Sequence, residues 1–336
     1  MKAKLSPYFG LIALCFALAA TTLAAQAGQW SPVQKFDSGI ETAVAVHPSG
    51  LVLEFHRTQS GANTFWYHVG QLNGTDVTWG PSQRLPELGT WPNVAVTKEG
   101  YVLFVWSTGS YKSSSDLSYM VGKINPNGDV SQSISWLTTP QQWDSGFHSS
   151  IAINDSGVIV GVHESGNGGR GMYYRVGHFA NPAGGNFNIV WDSGEWGINY
   201  DDGINPHIAL NSNNQVVEVH QVQGEYYLHY HRGVVLSKGM IDFRPSQRYD
   251  NDASTPAVTI LDTGTVQEVH QAIGPITIKS GTLSLSDPNV INWSTTSPLS
   301  RGTYPAIATN GTYSVLTFQD GSIFQESLYY SVAKVQ

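Results

Sequence analysis

Cysteine is almost missing from this chain of 336 residues: the single one is Cys15, in an apolar run near the start. Beyond that run there can be no disulfide, no thiol catalysis, no Cys-ligated metal and no redox dithiol. Charge is scarce as well, at 12% of residues, with 17 Lys+Arg against 25 Asp+Glu. Setting aside Lys2 and Lys4 of the N-terminal segment leaves 15 against 25, a net charge of −10. Such a field repels nucleic acid and anionic membrane surfaces, which need clustered positive charge. After the first 27 residues no apolar run is long enough to span a membrane. A nucleophile elbow, a zincin helix, a phosphate loop, a dinucleotide fingerprint and the Asp-x-Asp-x-Asp-Gly calcium loop are all missing too.

Residues 1–27 have the form of a secretory signal peptide. Lys2 and Lys4 precede an apolar stretch from about Phe9 to Ala25, and Ala25-Gln26-Ala27 precedes Gly28 as a small-residue cleavage site. Leu14, the residue before Cys15, is not the small residue of a lipoprotein signal. A secreted or periplasmic protein is therefore expected, cleaved near Ala27.

What the chain does have is 35 glycines, an aromatic content of 11%, and a repeat. Taking the stretch Val-Glu-Val-His as anchor, the equivalent positions are His56, Trp106, His163, His220, His270 and Gln319, spaced by 50, 57, 57, 50 and 49 residues. Each unit opens with an apolar strand, such as AVAVH from Ala43 or HIALN from His207, and turns through residues such as Pro48-Ser49-Gly50. It continues with the anchor strand, a third strand ending in Tyr-x-x-Gly, and a fourth beginning at Trp79, Trp136, Trp191, Phe243 or Trp293. Short β-branched and aromatic runs between turn residues, without helical periodicity, predict antiparallel strands. A period near 50 predicts a β-propeller. The expectation is a single six-bladed β-propeller domain over residues 28–336, with four-stranded antiparallel blades. The segment from Trp30 to Gly39, which reads as a fourth strand, would close the ring.

Low charge and abundant aromatics suit sugars, whose CH faces stack on rings while neutral side chains bond the hydroxyls. Glu54 with His56, Glu218 with His220, and Glu268 with His270 stand at i and i+2, on one face of each anchor strand. They predict either locks between repeats or ligand pockets there. Because each pair offers only two ligands, with no third at readable spacing, no metal site and no cofactor are expected. Trp91 and Trp196 lie in loops leading into first strands and are candidates for sugar stacking. Residues 194–207, GEWGINYDDGINPH, concentrate Glu195, Trp196, Tyr200, Asp201, Asp202, Asn205 and His207, and the third repeat adds a Gly-rich insertion with Arg170.

With its apolar first strand, Val-Glu-Val-His second strand and Tyr-x-x-Gly third strand followed by Trp, the repeat resembles that of secreted bacterial propeller lectins of the PLL type. This resemblance implies glycan binding between blades, with Glu54, Glu218, Glu268, Tyr67 and Tyr230 carried over and His56, His220 and His270 beside them. More loosely, the chain is similar to propeller polysaccharide lyases, which use a His/Tyr base and acid with a basic side chain. Two functions are thus expected. The first is a multivalent carbohydrate-binding protein. The second is a polysaccharide lyase or glycoside hydrolase with one site near the third and fourth repeats, with His207 or His148 as base, Tyr200 as acid and Arg170 neutralising charge. A ring that binds a protein partner stands as a third reading.

Overall fold

The computed structural model describes residues 29–335, apart from residues 60, 110–114, 167–168, 238, 295 and 323–324. The signal-peptide reading of residues 1–27, Cys15 included, falls outside the described residues. The regular structure of the described residues is antiparallel strand apart from one short 3-10 turn at Pro182–Gly184. No helix among the described residues is long and apolar enough to cross a membrane.

Each repeat folds locally for the reasons its sequence suggests. In the first, Ile40–Val46 pairs with Leu51–Arg57, and that strand pairs with Thr64–Asn73. The hairpin turns need a left-handed residue, and Gly50, Gly100, Gly157, Gly264 and Gly311 supply it with φ between 82° and 88°. In the fourth repeat Asn214 takes that conformation, with φ 59°. Six inner strands, which begin the six repeats, surround one axial channel lined by Val44, Val94, Ile151, Ile208, Val258 and Ile307. Each packs on the next, and Thr303–Thr309 packs back on Ile40–Val46. The N-terminal strand Gln34–Ser38 pairs antiparallel with Gln325–Lys334 and so covers the outer edge of the last sheet.

The sheet count corrects the expectation of a six-bladed ring of separate four-stranded blades. The described strands form five hydrogen-bonded sheets, of four, five, five, five and nine strands. Four of them stand alone as blades. The second and third repeats are merged, because the 13-residue strand Gln141–Ile153 does two jobs. Its first part pairs with Ser115–Lys123 at the outside of one repeat, and its second part pairs with Ile159–Glu164 as the inner strand of the next. The outer position is also not one strand. In the first repeat both Asp76–Trp79 and Gln83–Leu88 pair with Thr64–Asn73, since the chain turns at Gly80 and pairs again before moving to the next repeat.

Neighbouring repeats are joined by apolar clusters and by one recurrent polar contact. Phe55, Phe65 and Tyr67 pack on Phe104, Trp106 and Met120, for example. The hydroxyl of the third-strand tyrosine accepts the amide of a residue in the following repeat: Tyr67 from Ile134, Tyr119 from Ile189, Tyr174 from Ile241 and Tyr230 from Ile291. Tyr330 meets Asp76 and Val77 across the closure. All five tyrosines are buried. Removing the Tyr230 hydroxyl leaves the buried Ile291 N–H unbonded, which costs about 1–3 kcal/mol. Tyr230→Phe should therefore lower the thermal midpoint by several degrees in a melting experiment, with the far-ultraviolet spectrum unchanged.

Candidate active site

At the start of every inner strand the pairing slips by one residue. These bulges fall between Ile40 and Ala43, Thr90 and Asn93, Phe147 and Ser150, Ile204 and His207, Ser254 and Ala257, and Thr303 and Ala306. Inside each sits a non-glycine residue with left-handed backbone: Glu41 (φ 56°), Trp91 (56°), His148 (42°), Asn205 (53°), Thr255 (46°) and Tyr304 (49°). A side chain in that region costs about 1–3 kcal/mol and is characteristic of functional sites. Bulges of this kind re-aim side chains. Here all six line one opening on the axis, together with Pro92, Pro206, Pro256 and Pro305. A proline fits at the bulge because it has no N–H to give to the interrupted ladder.

In five of the six repeats a glycine two positions before the left-handed residue lets the anchor strand close in, and Ala253 holds that place in the fifth repeat. A Cβ on Gly39 would stand 2.6 Å from the His56 ring, and one on Gly203 2.8 Å from the His220 ring.

The mouth is polar on one side. Arg57 grips Glu41 with two nitrogens, the Nε contact being 2.6 Å, and the Trp91 amide donates to Glu41 Oε2 at 2.8 Å. The Glu41 amide donates to Gln319 Oε1 at 2.6 Å, and Gln319 Nε2 donates to Glu326 Oε2 at 2.5 Å. Burial pushes the Glu326 carboxyl above its ordinary range; the nearby charge of Glu41 adds to this, while Arg57 and Gln319 oppose it. Glu41, Arg57, Trp91, Tyr304, Gln319 and Glu326 line a side cleft of about 460 Å³ beside the axial opening. His148 Nδ1 is hydrogen-bonded to Glu164, which fixes its ring. The same ring lies 3.9 Å from the Trp91 ring, and Tyr304 lies 5.2 Å from Trp91.

The residues expected from sequence distribute between this mouth and the seams. Trp91 is in the mouth, and His207 lines its floor. His207 Nδ1 accepts the Val258 amide of the neighbouring inner strand at 3.3 Å, as Asn93 Oδ1 accepts from Ile151 and Ser150 Oγ from Ile208. Burial holds its pKa down to about 4. Tyr200 lies at a seam, its hydroxyl donating to Glu218 Oε1 at 3.1 Å, and burial followed by the Glu218 charge raises its pKa well above the ordinary value. Arg170 is exposed on the loop before Gly171–Asn181. His207, Tyr200 and Arg170 thus occupy three separate places. Trp196 is 69% exposed and does not line the mouth.

Glu54, Glu218 and Glu268 are wholly buried at the seams. Their oxygens accept from Thr42, Tyr200 and Tyr249, and from His56, His220 and His270 respectively. Tyr67 and Tyr230 are buried in the amide contacts described above. Glu41, Glu164, Glu326 and Tyr304 were missed by sequence reasoning. The available signal for Glu41 and Tyr304 was the block Gly-x-X before the inner strand, as in Gly89-Thr-Trp-Pro, Gly203-Ile-Asn-Pro and Gly302-Thr-Tyr-Pro, where X is a different residue in every repeat.

No family model matches the sequence, and no curated protein matches it. Solved structures do match the fold. The chain is similar to the Penicillium chrysogenum α-L-arabinanase solved with arabinobiose, at 13% identity and a TM-score of 0.61, covering 91% of this chain and 99% of that one. It is also similar to a Dyadobacter fermentans protein of unknown function, at 10% identity and a TM-score of 0.62, covering 90% and 99%. A third likeness is to Trypanosoma rangeli sialidase, at 10% identity and a TM-score of 0.54, covering 88% of this chain but 55% of that one. The fold is a β-propeller. At these identities the likeness speaks for the fold alone.

Because His207 is neutral in the fold and takes up a proton more readily when unfolded, its contribution is present above about pH 6.5 and is lost as pH falls towards 4. His207→Asn copies Asn93 and keeps an acceptor for the Val258 amide. Denaturant midpoints should show the wild type losing on the order of 1–3 kcal/mol more than the variant between pH 6.5 and 4; superimposable curves would remove the assignment.

Proposed function

We propose that this protein cleaves a glycan, as a glycoside hydrolase or polysaccharide lyase, with the axial mouth as its active site. The observation that carries this reading is the ring of six left-handed residues. Each repeat bears the strain at the same position, yet the six side chains are all different, while three of the seams around them repeat one Glu–His pattern. Function built on a repeated frame is expected where the repeats diverge at loop positions.

The chemistry of the mouth fits a carbohydrate. Trp91 and Tyr304 offer ring faces, and Asn205 and Thr255 offer neutral hydrogen-bonding groups. Glu326, with its raised carboxyl pKa, is suited to protonate a leaving glycosidic oxygen. Glu41, held by Arg57, supplies negative charge next to it. His148, oriented by Glu164, is suited to accept the proton of an attacking water, or the ring proton that a lyase removes. His207 stays a candidate from the floor of the same opening. The arabinanase and sialidase likenesses agree with a glycan substrate.

The seam positions Glu54, Glu218 and Glu268 carry the lectin reading less well, because their oxygens are already engaged by donors of the chain itself.

Residues 28–336 should be incubated with arabinan, sialylated glycoprotein and uronate polysaccharides, reading reducing ends and unsaturated products. Cleavage of one of them is expected, with Glu326→Gln and His148→Asn each lowering the rate about 10²–10⁴-fold in folded protein. Full activity in both variants would refute the site. Polymer that retards the protein in native gels without ever being cut would transfer the function to binding alone.

A further inference from the structure

Two seams bring an aspartate and two histidines to one point. At the first, Asp37 Oδ2 lies 2.8 Å from His68 Nε2 and 3.7 Å from His56 Nε2. At the second, Asp201 Oδ2 lies 2.8 Å from His231 Nε2 and 3.8 Å from His220 Nε2. In each trio the three ligand atoms all fall within 4.8 Å of one another. The pair His56/His220 comes from the second strand, His68/His231 from the third, and the aspartate from the strand before the repeat.

The far side of every ring is fixed. His56 Nδ1 and His220 Nδ1 each stand 3.0 Å from a glutamate oxygen, on Glu54 and Glu218. His68 Nδ1 is 2.9 Å from the Gly80 carbonyl, and His231 Nδ1 is 2.7 Å from the Arg244 carbonyl. Metal-binding histidines are oriented in this way, with Nδ1–H given to a carboxylate or carbonyl and Nε2 turned to the ion. The histidines are buried while Asp37 and Asp201 are 30% and 29% exposed, so an ion can reach the point and keep water as its remaining ligands.

Two other repeats provide a comparison within the same molecule. There the trio becomes Asp250, His270 and Lys279, with Lys279 Nζ 2.7 Å from Asp250 Oδ2, and Asp144, His163 and Arg175. The third-strand position thus carries a permanent cation in those repeats. In the two trios with His68 and His231 an imidazole stands there instead, its Nε2 hydrogen-bonded to the aspartate, and unlike the lysine or arginine it can give up that proton and turn a lone pair to an ion.

We propose that Asp37/His56/His68 and Asp201/His220/His231 are two binding sites for a borderline divalent cation, Zn²⁺ in the first instance, each clamping one seam of the ring. Two imidazoles and one carboxylate suit Zn²⁺ and its first-row neighbours rather than calcium or magnesium. Ligand atoms about 3.3 Å apart satisfy a tetrahedral ion with bonds near 2.0–2.1 Å, so the present spacings need shifts of about 1 Å. Neither site shares a residue with the axial mouth, and the proposal stands apart from the glycan reading.

The test uses untagged, chelator-treated residues 28–336, titrated with Zn²⁺ by calorimetry and with Co²⁺ by visible absorption. Two equivalents should bind the wild type, and Zn²⁺ should raise its melting temperature. His68→Lys and His231→Lys reproduce the arrangement of Lys279, so each should stay folded and bind one equivalent, and the double variant none. Failure of the wild type to bind Zn²⁺ at about 100 μM, or a stoichiometry unchanged in the folded double variant, would overturn the proposal.

Discussion

The ring depends on bonds that run from one repeat to the next. In four repeats a buried tyrosine hydroxyl of the third strand accepts an amide of the following repeat, from Tyr67 and Ile134 on to Tyr230 and Ile291. Tyr330 bridges the chain ends in the opposite sense, its hydroxyl donating to Asp76 and to the Val77 carbonyl. Each such bond is modest by itself. Together with the apolar packing that joins the fifth repeat to the sixth, Ile276 and Ile278 against Leu316 and Phe318, they place every repeat by its neighbour, so an error at one seam must be absorbed round the whole circle. The stacks of Phe36 on Trp79, Trp143 on Trp191, Tyr200 on Phe243 and Tyr249 on Trp293, with centroids 4.7 to 5.3 Å apart, work in the same direction.

The seams also explain where a chain with so little charge puts it. Beside the stacked aromatic comes an aspartate, as in Phe36-Asp37, Trp143-Asp144, Tyr200-Asp201 and Tyr249-Asp250. Each faces the anchor histidine of the next repeat. Burial alone would raise the Asp201 carboxyl, but the His231 hydrogen bond and the backbone of Asp202 outweigh it and bring its pKa to about 2. The buried glutamates are satisfied in turn by hydroxyls and imidazoles, as buried carboxylates must be. Where the pattern is lost, as at Phe104 and Trp106, the seam is filled by stacked rings instead.

A frame fixed in this way can hold strained backbone at its mouth. The six left-handed positions are over-determined by the bulged inner strands and, in four cases, by a following proline. The result is a rigid collar in which a carboxylate, an indole, an imidazole, an amide, a hydroxyl and a phenol converge, although they stand some 50 residues apart in sequence. The cleft through Arg57, Gln319 and Glu326 adds a second carboxyl that only ring closure brings near Glu41.

Sequence periodicity by itself determined the all-β propeller character, the strand order within each repeat and the pairing of Glu with His on one face, because alternation and turn chemistry are local properties. Sheet continuity was not local: the merging of two repeats follows from the length and path of Gln141–Ile153, which pairing partners decide. The mouth was half legible. Trp91 and His207 drew notice as an unusual loop tryptophan and a histidine in a dense polar stretch, whereas Glu41, Glu164 and Tyr304 look ordinary in sequence. What singles them out is φ and convergence on an axis, and those exist only once the last strand has met the first. The third ligand at each Asp–His–His cluster was hidden for the same reason: Asp37 and His68 stand on different strands of different sheets, and tertiary structure alone sets them 2.8 Å apart.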